Sequence, residues 1–210
     1  MDRRDDMRRR GGEAGLAAMA TIVTPLGPMT LGATERGLAL ARFDGAPDCA
    51  SDDAAEDVRA VGGDGQAPAT APRWEAAADP GASSATGSPA AGPDAMLAAA
   101  VAAVESYFHG DGAIEALPPL DMKGTELQRA VWNELVRIPA GVTRTYTDIA
   151  VAVGRPRAVR AIGAAIGANP VGVLVPCHRV VGADGRLTGY AGGLDRKRWL
   201  LAHEGAALPL

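Results

Sequence analysis

The stretch VPCHRVV, residues 175–181, places a thiol, an imidazole and a guanidinium in succession between apolar neighbours, with a proline in front. A thiol reacts as its thiolate, and a nearby histidine or positive charge favours that form, so Cys177 beside His178 and Arg179 is a candidate activated nucleophile. Burial as an inert core cysteine is the competing fate of the same residue. Adjacent side chains of an extended strand point to opposite faces, so His178 serves Cys177 only if the chain turns there, as Pro176 invites, or if a water joins them. A base also needs orienting. Asp184, Asp195 and Glu204 all lie downstream, and spacing alone does not choose among them. A zinc site is not expected, because His109 and His203 lie far along the chain from the Cys-His pair and no ligand spacing links them.

Such a motif must be carried by a folded frame. The segment ATIVTPLGPMTLGATERGLALARF, 20–43, alternates short β-rich runs with Pro25, Gly27, Pro28 and Gly37, the pattern of two or three antiparallel strands. Asp94 is expected to cap a helix whose apolar face holds Leu97, Val101, Val104 and Phe108, ended by Gly110. Thr125 opens another, with Leu127, Val131, Leu135 and Ile138 on one face. A helix over roughly Thr147 to Val153 ends at Gly154. A third begins near Pro156 and exposes a flat basic face of Arg157, Arg160, Ala161, Ala164 and Ala168 opposite Val159, Ile162 and Ile166. Two short helices about a glycine turn suggest a helix-turn-helix. Small residues with arginines suit close approach to a phosphate backbone, and packing against a neighbouring helix would suit the alanines equally. VGVLV, 171–175, reads as a strand leading into the cysteine motif.

The 210 residues and a hydrophobic share of 47% allow one large domain or two small ones with a real core. Between Gly45 and Pro93 the composition turns to Ala, Gly, Pro, Asp and Ser, too poor in large apolar residues to offset ordering entropy, so a low-complexity insert is expected there. Cys49 lies in it, and with Cys177 it makes poor material for a disulfide framework, which points to a reduced, cytoplasmic protein. Neither a signal peptide nor a membrane span is legible, and translation from Met7 or Met19 is an alternative start. The net charge of −4 conceals an asymmetry: Lys123 to Glu204 carries 12 basic against 6 acidic residues, leaving −10 for the rest. A basic second half suits an anionic partner such as nucleic acid, or merely solvates helix faces.

VPCHRVV, preceded by Asn169 and Pro170 and followed by DGRLTGYAGGLDRKRWLLAHEG, closely resembles the O6-alkylguanine-DNA alkyltransferases, the methylated-DNA–protein-cysteine methyltransferases. GTELQRAVWNELVRIPAGVTRTYTDIA and the third helix resemble the same family, so the likeness runs over about residues 120–205; TPLGPMTLGAT and ESYFHG resemble its less specific first part. The resemblance implies an α+β protein. An extension over 1–19 precedes an N-terminal ribonuclease-H-like sheet domain over 20–119, holding the insert at about 45–93. A mainly helical domain over 120–210 follows, with a winged-helix-like helix-turn-helix and the active cysteine. It further implies a monomer that binds double-stranded DNA through the minor groove, extrudes O6-alkylguanine and takes the alkyl group irreversibly onto Cys177 without cofactor or metal; O4-alkylthymine is a second candidate substrate on which the sequence does not decide. Extrusion is a physical requirement, since the target carbon is out of reach in a stacked duplex.

By the same resemblance His178 acts through water as base, Glu204 orients it, and Asn169 braces the active-site turn. Arg160 enters the base stack, and Tyr146 stands near the phosphate of the target and can protonate the departing oxygen. Tyr190 and Ala191 border the guanine, the Val180 backbone reads it, and Pro176 shapes the pocket. Arg157, Ala161 and Ala164 complete the DNA-facing surface. Leu127, Thr145 and Ala191 depart from the family's more usual phenylalanine, serine and serine, and the last bears on the range of alkyl groups. Two rivals differ in class: a module that flags alkylated DNA without repairing it, which lacks the cysteine, and a cysteine hydrolase, which needs no Arg160.

Overall fold

The computed structural model describes residues 15–45, 92–114 and 116–207. Most of the extension expected over 1–19 and of the insert expected over 45–93, Cys49 included, lies outside the described residues.

Strands β1 (Ala18–Thr24), β2 (Gly27–Ala33) and β3 (Leu38–Phe43) form an antiparallel meander in that order. β1 thus opens two residues before the expected domain start at residue 20. Its register, with Thr24 opposite Gly27, leaves a two-residue turn at Pro25-Leu26. Gly27 takes a φ of +105°, a conformation that side chains disfavour, and the Thr24 hydroxyl donates to the Gly27 carbonyl over 2.7 Å. Helix α1 (Pro93–His109) packs on β1 and β2. Its cap is Gly92 with Pro93 in the first turn rather than Asp94, since proline has no N–H to leave unsatisfied there. Its buried side runs through Met96, Leu97, Ala100, Ala103, Val104 and Tyr107. The face expected through Val101 and Phe108 is therefore rotated, and Phe108 instead meets Trp199 with ring centroids 5.7 Å apart.

The remaining edge of β3 receives the second half of the chain. Leu38 N donates to Pro119 O and Asp121 N to Leu38 O, both over 2.8 Å, while Ala41 N donates to Pro170 O and Gly172 N to Ala41 O over 2.9 and 2.7 Å. The segment just before the cysteine motif is thus hydrogen-bonded to the sheet. Helix α2 (Glu126–Val136) is opened by Thr125 in a capping box with Gln128. Trp132, 1% exposed, carries the α2 core into α4 by donating its indole N–H to Ala165 O over 2.8 Å. Truncating such a ring costs about 3–5 kcal/mol.

Strand β4 (Arg144–Thr145) leads into α3 (Tyr146–Ala152), where Thr145 and Asp148 form a second capping box. After the turn at Gly154 comes α4 (Val159–Gly167). This helix begins three residues later than Pro156 suggested, because residues 155–158 form a turn of their own, closed by Ala158 N donating to Arg155 O over 2.9 Å. A 3-10 turn, Cys177–Arg179, runs into β5 (Val180–Val181), which pairs in parallel with β4, and α5 (Leu194–His203) closes the described fold. The architecture is mixed helix and sheet, with the cysteine turn enclosed by α1, α2 and α5.

Candidate active site

Residues 171–175 are not the strand that their β-branched composition suggested. Leu174 N donates to Gly172 O, Val175 N to Val171 O and Cys177 N to Val175 O over 2.8 to 2.9 Å, a series of tight turns. Val173 sits at φ +68°, a left-handed conformation that a β-branched residue rarely adopts. Asn169 stands in for a neighbouring strand. Its amide nitrogen donates to Val175 O (2.8 Å), to Cys177 Sγ (3.2 Å) and, at 3.4 Å, to Val171 O, and its oxygen accepts from Val171 N (3.0 Å). Polar satisfaction by one buried side chain has overridden propensity here.

Cys177–Arg179 form a 3-10 turn rather than an extended strand, so the alternation of faces along a strand does not apply to Cys177 and His178. Cys177 is 8% exposed, whereas His178 is fully buried and meets Glu204 through Nε2, 2.7 Å from Oε1. His178 Nδ1 is buried without a hydrogen-bond partner among the described residues. Burial lowers the histidine's basicity against the raising effect of Glu204, so the ring is held neutral and able to accept a proton. With Nε2–H donating to the carboxylate, Nδ1 is the atom left to accept.

Of the three carboxylates, the structure selects Glu204. Asp184 and Asp195 lie at the surface beside Arg186 and Arg198. Glu204 accepts from His178, from Tyr107 Oη (2.7 Å), and from Arg179 through Nε to Oε2 and Nη2 to Oε1, both 2.9 Å. Burial opposes its ionisation, but the hydrogen bonds from His178 and Arg179 and the Arg179 charge prevail and hold it down to about 2. Arg179 therefore supports the carboxylate, and also donates to Ile138 O, rather than reaching toward the thiol.

A cavity of about 580 Å³ opens onto Cys177, with Asn169, Tyr190 and Ala191 on one side and Thr21, Arg42 and Phe43 of the sheet on the other. The Tyr190 ring stands edge-on to His178 with centroids 6.4 Å apart. Pro176 is buried behind the turn. Val180 is buried too: its N–H donates to Cys177 O and its carbonyl accepts from Lys197 Nζ over 2.6 Å, which leaves that oxygen a second lone pair. Tyr146 opens α3 half-buried, and its hydroxyl accepts from Thr188 Oγ1 over 3.3 Å. Arg160, Ala161 and Ala164 lie exposed on α4, with Arg157 exposed in the preceding turn.

Two contributors escaped sequence reasoning. Lys197 is fully buried, donating to Thr188 O (2.7 Å) as well as Val180 O, and burial lowers its ammonium to about 8 while the charge of Cys177 raises it. The signal was present, because Lys197, Leu200, Leu201 and Glu204 recur at helical spacing on one buried face. Tyr107 left no such trace, because Phe108 beside it fits an apolar face better.

The DNA-binding-domain profile of 6-O-methylguanine DNA methyltransferases matches residues 126–206. A methylated-DNA–protein-cysteine methyltransferase of Mycolicibacterium paratuberculosis is 53% identical over 108 residues, 51% of this chain and 65% of its own. One from Methanosarcina barkeri is 50% identical over 105 residues, 48% of this chain and 63% of its own, so these matches span a little under two thirds of the relatives' length. Among solved structures, Mycobacterium tuberculosis OGT in complex with DNA is 35% identical with a TM-score of 0.62, covering 89% of this chain and 92% of that one. At that identity and coverage, the chain belongs to the O6-methylguanine DNA methyltransferase family.

Proposed function

We propose that this chain repairs DNA by direct reversal, moving the alkyl group of O6-alkylguanine irreversibly onto Cys177, once per molecule. The observation that carries this reading is the position of Cys177: its sulfur borders a cavity, while Asn169 and the buried His178–Glu204 pair stand behind it.

The thiol proton passes through a water to Nδ1 of His178, Glu204 stabilises the imidazolium that forms, and Asn169 donates to the sulfur as it gains charge. Sulfur attacks the alkyl carbon, the carbon–O6 bond breaks, and the electron pair stays on guanine. A proton from the Tyr146 hydroxyl neutralises that oxygen, and the proton held by His178 passes through water to restore the Tyr146 hydroxyl. Atoms and charge balance without cofactor or metal. Thioether formation consumes the Cys177 thiol, which makes the reaction stoichiometric.

Double-stranded DNA is the partner, approached from the minor groove by a helix-turn-helix of α3 and α4. Arg160 enters the stack, Arg157, Ala161 and Ala164 lie along the backbone, and Tyr190, Ala191, Pro176 and Val180 shape and read the base. The three-stranded sheet and α1 belong to a ribonuclease-H-like domain that opens with β1 at Ala18 and runs to residue 119, and residues 120–210 form a winged-helix-like second domain. A cytoplasmic monomer suits this chemistry. Among the described residues no helix is long and apolar enough to cross a membrane.

The test is incubation with a duplex carrying one O6-methylguanine, followed by peptide mapping. One methyl on Cys177, with product capped at one per protein, is expected. An unmodified cysteine with tight lesion binding would make the chain a damage-flagging module instead, and ester turnover would make it a hydrolase.

A further inference from the structure

Tyr107 is the group on α1 that reaches the Glu204 carboxylate. Its hydroxyl donates to Oε1 over 2.7 Å, the same oxygen that meets His178 Nε2 at 2.7 Å. The side chain is fully buried, and its ring stands edge-on to His178 at a centroid distance of 6.4 Å. Its backbone carbonyl accepts from His203 Nε2 over 2.8 Å, so one residue joins α1 to the last turn of α5 at two points. Desolvation, reinforced by the charge of Glu204, raises the phenol's pKa, so it remains a donor.

The geometry assigns a task to that bond. Arg179 forks across both carboxylate oxygens and would allow the group to settle wholly on the guanidinium. A third donor on Oε1, beside Arg179 Nη2 and His178 Nε2 and set by a rigid ring on another helix, removes that freedom. We propose that Tyr107 is a positioning residue for alkyl transfer: it fixes Glu204 so that His178 is held with its proton on Nε2 and with Nδ1 as the basic atom toward Cys177. Helix α1, which packs on the three-stranded sheet, thereby supplies a member of the relay. This rests on the alkyl-transfer reading above.

Tyr107→Phe keeps the ring and removes the hydroxyl. Single-turnover transfer from an O6-methylguanine duplex should slow about tenfold, the effect of losing one hydrogen bond to a charged group, with duplex affinity within about twofold of the parent. Nitrogen-15 spectra of His178 should change from one tautomer to a mixture, a signature that a packing role would leave alone. Phe108→Leu loosens the same aromatic cluster but spares the hydroxyl, so it should cost stability while tautomer and rate stay as they were.

Parental rate in Tyr107→Phe, slower transfer with unchanged His178 spectra, or equal slowing in Phe108→Leu would each overturn the assignment. If the parent protein took up no methyl group at all, the functional reading itself would fail, a result distinct from these three.

Discussion

The amide nitrogen of Asn169 lies 3.2 Å from the sulfur of Cys177, and the same side chain bonds Val171 N and Val175 O on either side of the turn. One buried amide therefore shapes the loop and supplies a donor to the cysteine sulfur. It also ties the loop to α4, since it follows that helix by two residues. The exposed face of α4 and the thiol of Cys177 are thus held by adjoining residues.

Asn169→Ala should accordingly impair both shape and chemistry. Leaving a buried carbonyl and N–H unsatisfied costs about 2 kcal/mol of stability. Transfer should slow by at least about tenfold from loss of the donor to sulfur. Urea midpoints and single-turnover rates measure the two separately, and an unchanged rate would mean that the amide serves the loop alone.

Cys177→Ala should abolish methyl uptake while retaining affinity for a lesion-bearing duplex. The side chain is small and removing it leaves the exposed face of α4 untouched. Filter binding beside radiolabel transfer decides it. Any methyl still found on the variant would move the acceptor elsewhere.

Arg160 is exposed on α4 and does not line the Cys177 cavity. If it serves extrusion, Arg160→Ala should slow transfer from duplex DNA by more than about tenfold and leave transfer from free O6-alkylguanine base unchanged. Arg157→Ala should instead weaken duplex binding uniformly and reduce the salt slope by about one. Equal losses on duplex and free base would put Arg160 in the pocket rather than the stack.

Much of this fold was legible because period and capping agree. Thr125 marks a helix start, the helix expected from about Thr147 opens one residue earlier at Tyr146, and the meander follows from its turn residues. The motif VPCHRVV pointed to Cys177 and His178, but spacing left three carboxylates open, since Glu204 lies 26 residues beyond its partner and only the fold of α5 returns it. VGVLV misled because its β-branched residues are buried by turns that Asn169 holds. Pro156 and Asp94 misled by one turn or less, where the local rule for a helix start met a competing turn or a proline. Tyr107 was invisible because its role depends on a contact across 97 residues, to which helical periodicity is blind.

Acid should act through Glu204. Its folded pKa lies near 2 against an ordinary 4.5, so its contribution is complete above 4.5 and lost as pH falls through 2. That loss amounts to about 3 kcal/mol. Glu204→Gln should be less stable at pH 6 and should show a shallower decline between pH 5 and pH 2 in urea titrations. His178, whose basicity burial lowers, begins its own loss as pH falls through the ordinary histidine range, ahead of the carboxylate. Parallel curves for the two proteins below pH 5 would show that the carboxylate is not stabilised by its partners.

Val173 allows a test of the turn itself, because two opposed effects act at one residue. The side chain is fully buried, and removing it forfeits about 1.5–3 kcal/mol of burial. The backbone, at φ +68°, is strained for any side chain and easy for glycine. Val173→Ala loses most of the burial and keeps the strain. Val173→Gly loses slightly more burial and relieves strain worth about 1 kcal/mol. Glycine should therefore be tolerated at least as well as alanine, reversing the usual order in an ordered segment, and thermal midpoints of the two variants measure the difference. A glycine variant clearly weaker than alanine would mean that the left-handed turn is not retained in solution, and with it the placement of Cys177 between Asn169 and His178.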